Sequence, residues 1–168
     1  ILSQACFISV LMIVRDATHT FVPEEDNDAA NLHQLYLILE GFQELSEREK
    51  AMPAMFDLLE RYPDTELGSP GPLVHALETI PDYEPLLEQS LARQPTELTV
   101  WMVNRILNSA KDETRFRQWL PRLHTALEHP LAPELVRETA ANFINRQQER
   151  LAQQGIQADD PGFSKSAE

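Results

Sequence analysis

Apolar residues recur every three to four positions along most of the chain, which is the period of an α-helix with one buried face. The pattern is most regular in residues 68–109, where Pro81 and Pro95 interrupt it. Proline removes a backbone donor and disfavours helix at the residue before it, so each interruption marks a helix boundary. The sequence therefore predicts three short helices in this stretch, at residues 70–80, 82–94 and 96–109.

The third of these helices is apolar over more than half of its circumference, which is typical of a helix buried between neighbours. We expect residues 100–107 to lie at the centre of the core and Trp101 to be buried there. Short polar side chains precede the first two helices, and we expect Ser69 and Asp82 to accept hydrogen bonds from the free N–H groups of the first turn. The third helix is expected to open at Thr96.

The same periodicity predicts further helices at residues 28–44, 47–62, 112–128 and from about 133 to a stop at Gly155. Glycine is scarce, and the alternating runs that mark half-buried strands are almost absent. We predict an all-α fold of about seven helices, an antiparallel array that is either a HEAT-like α-solenoid or an irregular helical bundle. A compact four-helix bundle with accessory helices is the alternative.

Length favours one domain over residues 1–155, because 168 residues are enough to bury a full core. Residues 1–20 are expected to form a strand or helix that packs on the body. Their apolar run is too short for a membrane span and lacks the basic lead-in of a secretion signal. Residues 156–168 have little to bury and are expected to be a mobile tail. The single cysteine, Cys6, favours a reducing cytoplasm.

Acidic and basic residues are unevenly divided along the chain. Residues 1–90 contain 17 Asp and Glu against 4 Lys and Arg, whereas residues 91–168 contain 10 of each. The whole formal charge of −13 therefore belongs to the first half. A field of this sign repels nucleic acid and anionic lipid, and it accelerates encounter with a basic protein. Acidic residues that serve only solubility are the alternative interpretation.

Two groups of carboxylates are candidates for contact with a basic partner. One surrounds the turn between the first two helices of the central stretch and consists of Glu78, Asp82, Glu84 and Glu88. The other is Glu40 and Glu44, four residues apart on the predicted helix 28–44. Helical carboxylates at this spacing also serve metal or acid–base chemistry, but no glutamate has the histidine three residues later that di-metal bundles use. A solvated acidic face is the preferred interpretation.

No other motif indicates chemistry. The five histidines are too scattered for a metal pattern, and no glycine-rich phosphate loop is present. Cys6 lacks the sequence context of a nucleophile, and the basic stripes with interleaved aromatic residues that bind nucleic acid are missing. The sequence predicts no catalytic residue, cofactor, metal ligand, small-molecule substrate, membrane span or nucleic-acid partner.

Two motifs resemble the central signature of a family of bacterial immunity proteins: GSPGPLVHALE at residues 68–78 and PTELTVWMVNRILN at residues 95–108. This family belongs to polymorphic-toxin and contact-dependent inhibition systems and has helical, HEAT-like folds. The resemblance covers roughly residues 28–150. Its motif positions, several of which are expected to maintain the fold, are Gly71, His75, Glu78, Trp101, Asn104 and Arg105.

The resemblance implies that the chain binds the toxic C-terminal domain of a cognate effector inside the producing cell and blocks its active site or an essential surface. The toxin is often a nuclease in such systems, and a basic nuclease suits an inhibitor whose carboxylates imitate phosphates. A helical scaffold without a toxin partner is an alternative, and a metal-dependent carboxylate enzyme is a third. For Asn104, Arg105 and Asn108 the preferred role is hydrogen bonding between helices, with a partner-facing role as the alternative.

Overall fold

The structure of the chain is a computed structural model that describes residues 4–153, with side chains from residue 12 onward. Within this range the regular secondary structure consists only of helices, and no strand is present. It contains the short 3₁₀ helices Phe42–Glu44 and Arg48–Ala51 and eight α-helices: α1 Gln4–Thr20, α2 Asp28–Ile38, α3 Met52–Arg61, α4 Gly71–Glu78, α5 Glu84–Arg93, α6 Glu97–Ser109, α7 Glu113–Glu128 and α8 Glu134–Gln153. The predicted all-α array is confirmed. Gly155 and the predicted mobile tail at 156–168 lie outside the described residues.

Most helices pack against near neighbours in the sequence. Helices α6, α7 and α8 pack on one another, and α5 contacts α3, α6 and α7. At the other end of the array, α1 packs against α3 and α2 packs against α4. The buried apolar side chains form a cluster that extends from Val14 in α1 to Leu151 in α8. A shared core therefore joins the acidic first half of the chain to the later helices.

Helix α6 supplies much of this core, as the sequence predicts. Val100, Val103 and Leu107 are fully buried. Thr96 and Thr99 form a capping box, in which each side chain accepts a hydrogen bond from the backbone N–H of the other residue. The helix therefore opens at Thr96, where the sequence predicts it, and the structure adds that this residue is the cap.

The two tryptophans differ in burial. Trp101 is only partly buried and lies edge-on to Phe143 of α8, with 5.1 Å between the ring centroids. Trp119 of α7 is the fully buried one, with 1% of its surface exposed. The expectation that Trp101 is buried at the centre is therefore wrong, since α6 turns that side chain toward the margin of its contact with α8.

The predicted helices 28–44 and 47–62 are too long. Helix α2 ends at Ile38, and Gly41 follows with a φ of 71°, a left-handed conformation that does not continue a helix. Helix α3 starts only at Met52, with Pro53 in its first turn. Proline fits a first turn, where no N–H partner is needed, so it marks the beginning of this helix.

Ser69 and Asp82 do not cap helices, contrary to the prediction. Ser69 precedes a cis peptide bond to Pro70, and its hydroxyl donates to Glu66, so α4 begins at Gly71 without a side-chain cap. Asp82 has a φ of 58°, and α5 begins two residues later without a side-chain cap.

The N-terminal segment forms α1, one of the two structures expected for it. The guanidinium of Arg61 at the end of α3 donates to the carbonyl oxygens of Thr18 at 2.6 Å and of Phe21 at 3.2 Å. The hydroxyl of Tyr62 donates to the Phe21 carbonyl as well, at 3.2 Å. These bonds occupy carbonyls at the end of α1 that have no partner within the helix, and they attach α1 to the body.

Candidate protein-binding surface

Four arginines from the later part of the chain form ion pairs with glutamates from the acidic first half. Each ion pair joins two different helices. In two of the pairs, Nε and Nη2 of the arginine donate to different oxygens of the same carboxylate. Such forked pairs are stronger than single contacts because their geometry is fixed on both sides. We call this set the Arg–Glu ladder; its pairs are Arg93–Glu60, Arg105–Glu78, Arg115–Glu84 and Arg122–Glu88.

The ladder contains three of the carboxylates expected to contact a partner. Glu78 accepts from Arg105 at 2.6 and 2.8 Å, Glu88 accepts from Arg122 at 2.6 Å, and Glu84 accepts from Arg115. Their negative charge is compensated within the chain. Asp82 is exposed at the turn before α5 and has no ion-pair partner among the described residues.

The ladder arginines of α7 also cover the buried tryptophan. Arg115, Trp119 and Arg122 lie about one turn apart on one face of α7. The guanidinium carbons of Arg115 and Arg122 lie 5.9 and 5.8 Å from the centroid of the Trp119 ring, within the range of cation–π attraction. The same arginines therefore join α5 to α7 twice, through carboxylates and through an aromatic face. The 3–4 spacing of these residues in the sequence is the signal that could have found them.

A cleft of about 470 Å³ lies between two rungs of the ladder and contains Tyr83. Burial, followed by the charges of Glu78 and Glu84, raises the pKa of Tyr83 to about 12. Hydrogen bonds to their glutamates raise the pKa of Arg105 and of Arg115 above its usual value. The phenol and both guanidinium groups are therefore protonated at neutral pH, so none of the three is suited to act as a base.

The acidic residues between positions 24 and 49 behave differently, and we call them the acidic segment. All eight of their side chains are exposed. Among the described residues, only Glu47 has an ion-pair partner, Lys50 at 2.7 Å. The eight residues are Glu24, Glu25, Asp26, Asp28, Glu40, Glu44, Glu47 and Glu49.

Glu40 and Glu44 do not share a helix, contrary to the prediction. Glu40 follows the end of α2, and Glu44 lies in the 3₁₀ helix Phe42–Glu44 beyond the left-handed Gly41. The i,i+4 carboxylate pair expected there does not exist. Within the part of the chain that the structure describes, no group of three or more His, Cys, Asp or Glu is placed to hold a metal ion.

A groove of about 460 Å³ lies between α2 and α4 and is lined by residues within 33–43 and 72–76. Its exposed apolar side chains are Tyr36 and Leu37, which leave 56% and 57% of their surface in contact with solvent. Glu40 lines the groove from just beyond the end of α2, and Pro72 and His75 line it from α4. The structure thus brings two of the predicted residues, Glu40 and His75, to one concave surface.

The sequence analysis missed the exposed apolar residues of this groove. From the sequence, these residues are only part of a predicted helix at 28–44 and have no separate role. The available signal was the uninterrupted apolar run at residues 35–39, because one helix face cannot bury five consecutive side chains. In the structure Leu35 takes the buried position, and its two successors point outward.

The remaining motif positions support the fold. Asn104 is 7% exposed, and its Oδ1 accepts a hydrogen bond from Gln147 of α8 at 2.7 Å. Gln147 donates also to Asn108, at 2.8 Å. Together with the Arg105–Glu78 pair, these contacts agree with the expected hydrogen bonding between helices. Gln147 itself was not singled out from the sequence.

The motif glycines make a close turn before α4. Gly68 has a φ of 95°, and a Cβ atom at this position would lie 2.4 Å from the Cα of Gly71 and 2.9 Å from Leu32 of α2. Gly71 has a φ of 69°, although a Cβ there would meet no atom. Side chains are excluded at Gly68 by contact and disfavoured at Gly71 by backbone conformation. The turn holds α4 against α2 and so shapes the groove between them.

Comparison with known proteins gives no match to any family model, curated protein or solved structure. None of the helices described is both long enough and apolar enough to cross a membrane. The site is therefore characterised by its own geometry: an internally compensated ladder and, next to the α2–α4 groove, carboxylates that have no ion-pair partner among the described residues.

Proposed function

We propose that this protein acts by binding, without catalysis, and that it neutralises a basic partner protein. The partner implied by the resemblance of its two central motifs is the toxic C-terminal domain of a bacterial effector, such as a nuclease. The protein in this role is an immunity protein of the producing cell, and it acts by covering a functional surface of the toxin.

The single observation that carries this proposal is that the acidic segment is exposed and that all but one of its carboxylates lack an ion-pair partner among the described residues. Seven of its eight carboxylates have no cationic partner among the described side chains. Like charges held close together on a folded surface repel one another, and a basic partner relieves that repulsion. Exposed carboxylates also steer a basic protein to the surface and raise the association rate.

The proposal places the contact on the acidic segment and not on the Arg–Glu ladder. A partner that used Glu78, Glu84 or Glu88 would have to displace arginines that already form close hydrogen bonds with them. No such displacement is needed at Glu40 or Glu44. Asp82 also has no ion-pair partner among the described residues, but it lies beside the ladder, whereas Glu40 and Glu44 belong to the acidic segment. Of the six carboxylates selected from the sequence, the proposal therefore uses Glu40 and Glu44.

On this proposal the neighbouring reading frame encodes a large effector, and the test is co-expression of the chain with the C-terminal domain of that effector. We expect that domain alone to stop growth and the wild-type chain to restore growth. The purified proteins should form a complex whose association slows as salt is added, because steering by exposed charge is screened. Failure of the chain to bind or rescue would overturn the toxin-neutralising role and leave a scaffold function as the better explanation.

A charge-reversal variant locates the surface. Glu40→Lys/Glu44→Lys should slow association about tenfold and reduce its salt dependence, with little change in stability. The matched control is Glu138→Lys/Glu149→Lys, which reverses two exposed glutamates of α8 in the electrically balanced half that have no ion-pair partner among the described residues. Equal effects of the two variants would show that only total charge matters and would contradict a contact at the acidic segment.

A further inference from the structure

We infer that the α2–α4 groove is the docking site for an apolar side chain of the partner that is flanked by lysine or arginine. This inference rests on the proposed function and deepens it, because it assigns both the position of the contact and the chemistry of the segment that binds there. The occupant is a short basic and apolar segment of a protein, in preference to nucleic acid or a lipid surface.

The apolar part of the inference comes from α2. Tyr36 and Leu37 are large side chains with more than half of their surface exposed, and they lie side by side at the groove. Pro72 of α4 forms part of the opposite wall. Apolar residues that line a concave surface release water when a complementary side chain enters, which favours binding.

The basic part comes from the carboxylates around the groove. Glu40 lines it directly, and Glu44 follows one turn of chain later. Neither has an ion-pair partner among the described residues, whereas Arg48, the nearest arginine in the sequence, donates instead to Gln43 and to the carbonyl of Thr79. The carboxylates are thus left to a cation from outside, and the same negative charge disfavours phosphate groups.

The turn before α4 keeps the groove open in a defined shape. Gly68 brings the chain so close to Leu32 of α2 that a Cβ would lie 2.9 Å from the leucine side chain. Arg48 connects the 3₁₀ helix Arg48–Ala51 to the end of α4 through its 3.0 Å bond to the Thr79 carbonyl. Both walls are therefore fixed before a partner arrives, which lowers the entropic cost of binding.

The test uses the full chain and short synthetic peptides, observed through amide shifts in nuclear magnetic resonance spectra. The probe is a peptide of leucine and lysine, and the matched peptides replace every lysine by glutamine or by glutamate. We expect shift changes confined to residues 33–43 and 72–76, largest for the lysine peptide and absent for the glutamate peptide. Changes centred elsewhere, or of equal size for all three peptides, would overturn the inference.

A pair of leucine variants separates groove binding from general stickiness. Leu37→Ser should weaken binding of the lysine peptide about tenfold, because the apolar side chain of the peptide loses an apolar contact in the groove. Leu131→Ser is the matched control, because Leu131 is equally exposed, at 61%, but lies between α7 and α8. An equal loss in both variants, or in neither, contradicts the groove as the site.

The same experiments distinguish other occupants and the failure of the proposed function. A concentration-dependent dimer abolished by Leu37→Ser would assign the groove to a second copy of this chain. Shifts at residues 33–43 after deletion of residues 154–168 would assign the groove to the chain's own C-terminal end.

If the toxin domain binds the Leu37→Ser variant as it binds the wild type, the groove inference fails while the proposed function stands. If the peptides bind as expected but the toxin domain does not, the toxin assignment fails alone.

Discussion

The Arg–Glu ladder and the acidic segment are both built from glutamates of the first half of the chain, yet folding treats them in opposite ways. In the ladder, each of Glu60, Glu78, Glu84 and Glu88 meets an arginine from α5, α6 or α7. In the acidic segment, only Glu47 has a cationic partner among the described residues, and that partner is a lysine three positions away. Glutamates with the same formal charge are therefore compensated by arginines in the ladder and are mostly uncompensated, among the described residues, in the acidic segment.

The difference teaches that charge segregation in a sequence does not map directly onto the folded surface. The arginines of the balanced second half are not spread evenly; four of them compensate one part of the acidic half and leave the other part exposed. Helix packing thus concentrates the uncompensated charge near α2 and the 3₁₀ helices. A binding surface predicted only from the number of acidic residues therefore includes carboxylates that already form ion pairs with arginines.

The largest effect that tests this comparison is expected from the tryptophan under the ladder. Trp119→Ala should lower the free energy of unfolding by ~3–5 kcal/mol, because it removes a fully buried aromatic and the ring face that Arg115 and Arg122 cover. Trp101→Ala is the control and should cost less, about 1–2 kcal/mol, since Trp101 is only partly buried. Chemical denaturation measures the free energy of unfolding of both variants. A larger loss for Trp101→Ala than for Trp119→Ala would show that Trp119 is not buried beneath the ladder arginines.

A smaller effect is expected from reversing charge in the ladder. The sequence alone predicts that Glu84→Lys/Glu88→Lys slows association with a partner and leaves helicity unchanged. The structure predicts instead a loss of stability of about 1–2 kcal/mol, because two interhelical ion pairs become repulsive contacts with Arg115 and Arg122.

The acidic segment provides the matched control for that reversal. Glu40→Lys/Glu44→Lys breaks no ion pair among the described residues and should change stability by no more than about 0.5 kcal/mol. Denaturation midpoints and association rates of the two double variants separate the functions of the two regions. Equal stability of both variants would remove the distinction between ladder and segment.

The smallest effect concerns pH and reports on the cleft between the ladder rungs. Because the pKa of Tyr83 is raised to about 12 in the folded chain, the unfolded chain loses this proton first as pH rises past the ordinary tyrosine value of about 10. Stability should therefore fall between about pH 10 and pH 12. Tyr83→Phe should weaken this fall and remove one phenol from the ultraviolet titration near pH 12, whereas an unchanged titration would contradict burial between Glu78 and Glu84.

The parts of the fold that were predicted correctly depend on neighbours in the sequence. The helix from Thr96 to Ser109 follows from a capping residue, a 3–4 apolar pattern and a preceding proline, all of which act within one or two turns. The predictions at Ser69 and Asp82 were wrong because left-handed or tight turns, set by contact with other elements, determine where α4 and α5 start. Helix α2 was overextended because its apolar pattern continues to Leu39 and Phe42, past the end of the helix at Ile38 and the left-handed Gly41.

The candidate site was predictable only in part, for a reason of distance along the chain. The arginines that pair with Glu78, Glu84 and Glu88 are 27, 31 and 34 residues away in the sequence, beyond any local pattern. The wall of the groove at His75 is likewise far from Tyr36 and Leu37 in the sequence. The spacing of Arg115, Trp119 and Arg122 and the apolar run at residues 35–39 are local signals, but each describes only one side of the contact. The residues on the other side are known only once the helices are packed.

By itself, the sequence determined that the chain is helical, that its acidic charge lies in the first half, and that residues 96–109 form a helix of the core. The tertiary structure decided which carboxylates are compensated and which apolar residues remain on the surface. The physical reason is that helix periodicity and capping arise from contacts within a few residues. Ion pairing and burial depend on which helix faces meet, and that is settled only when the whole core packs.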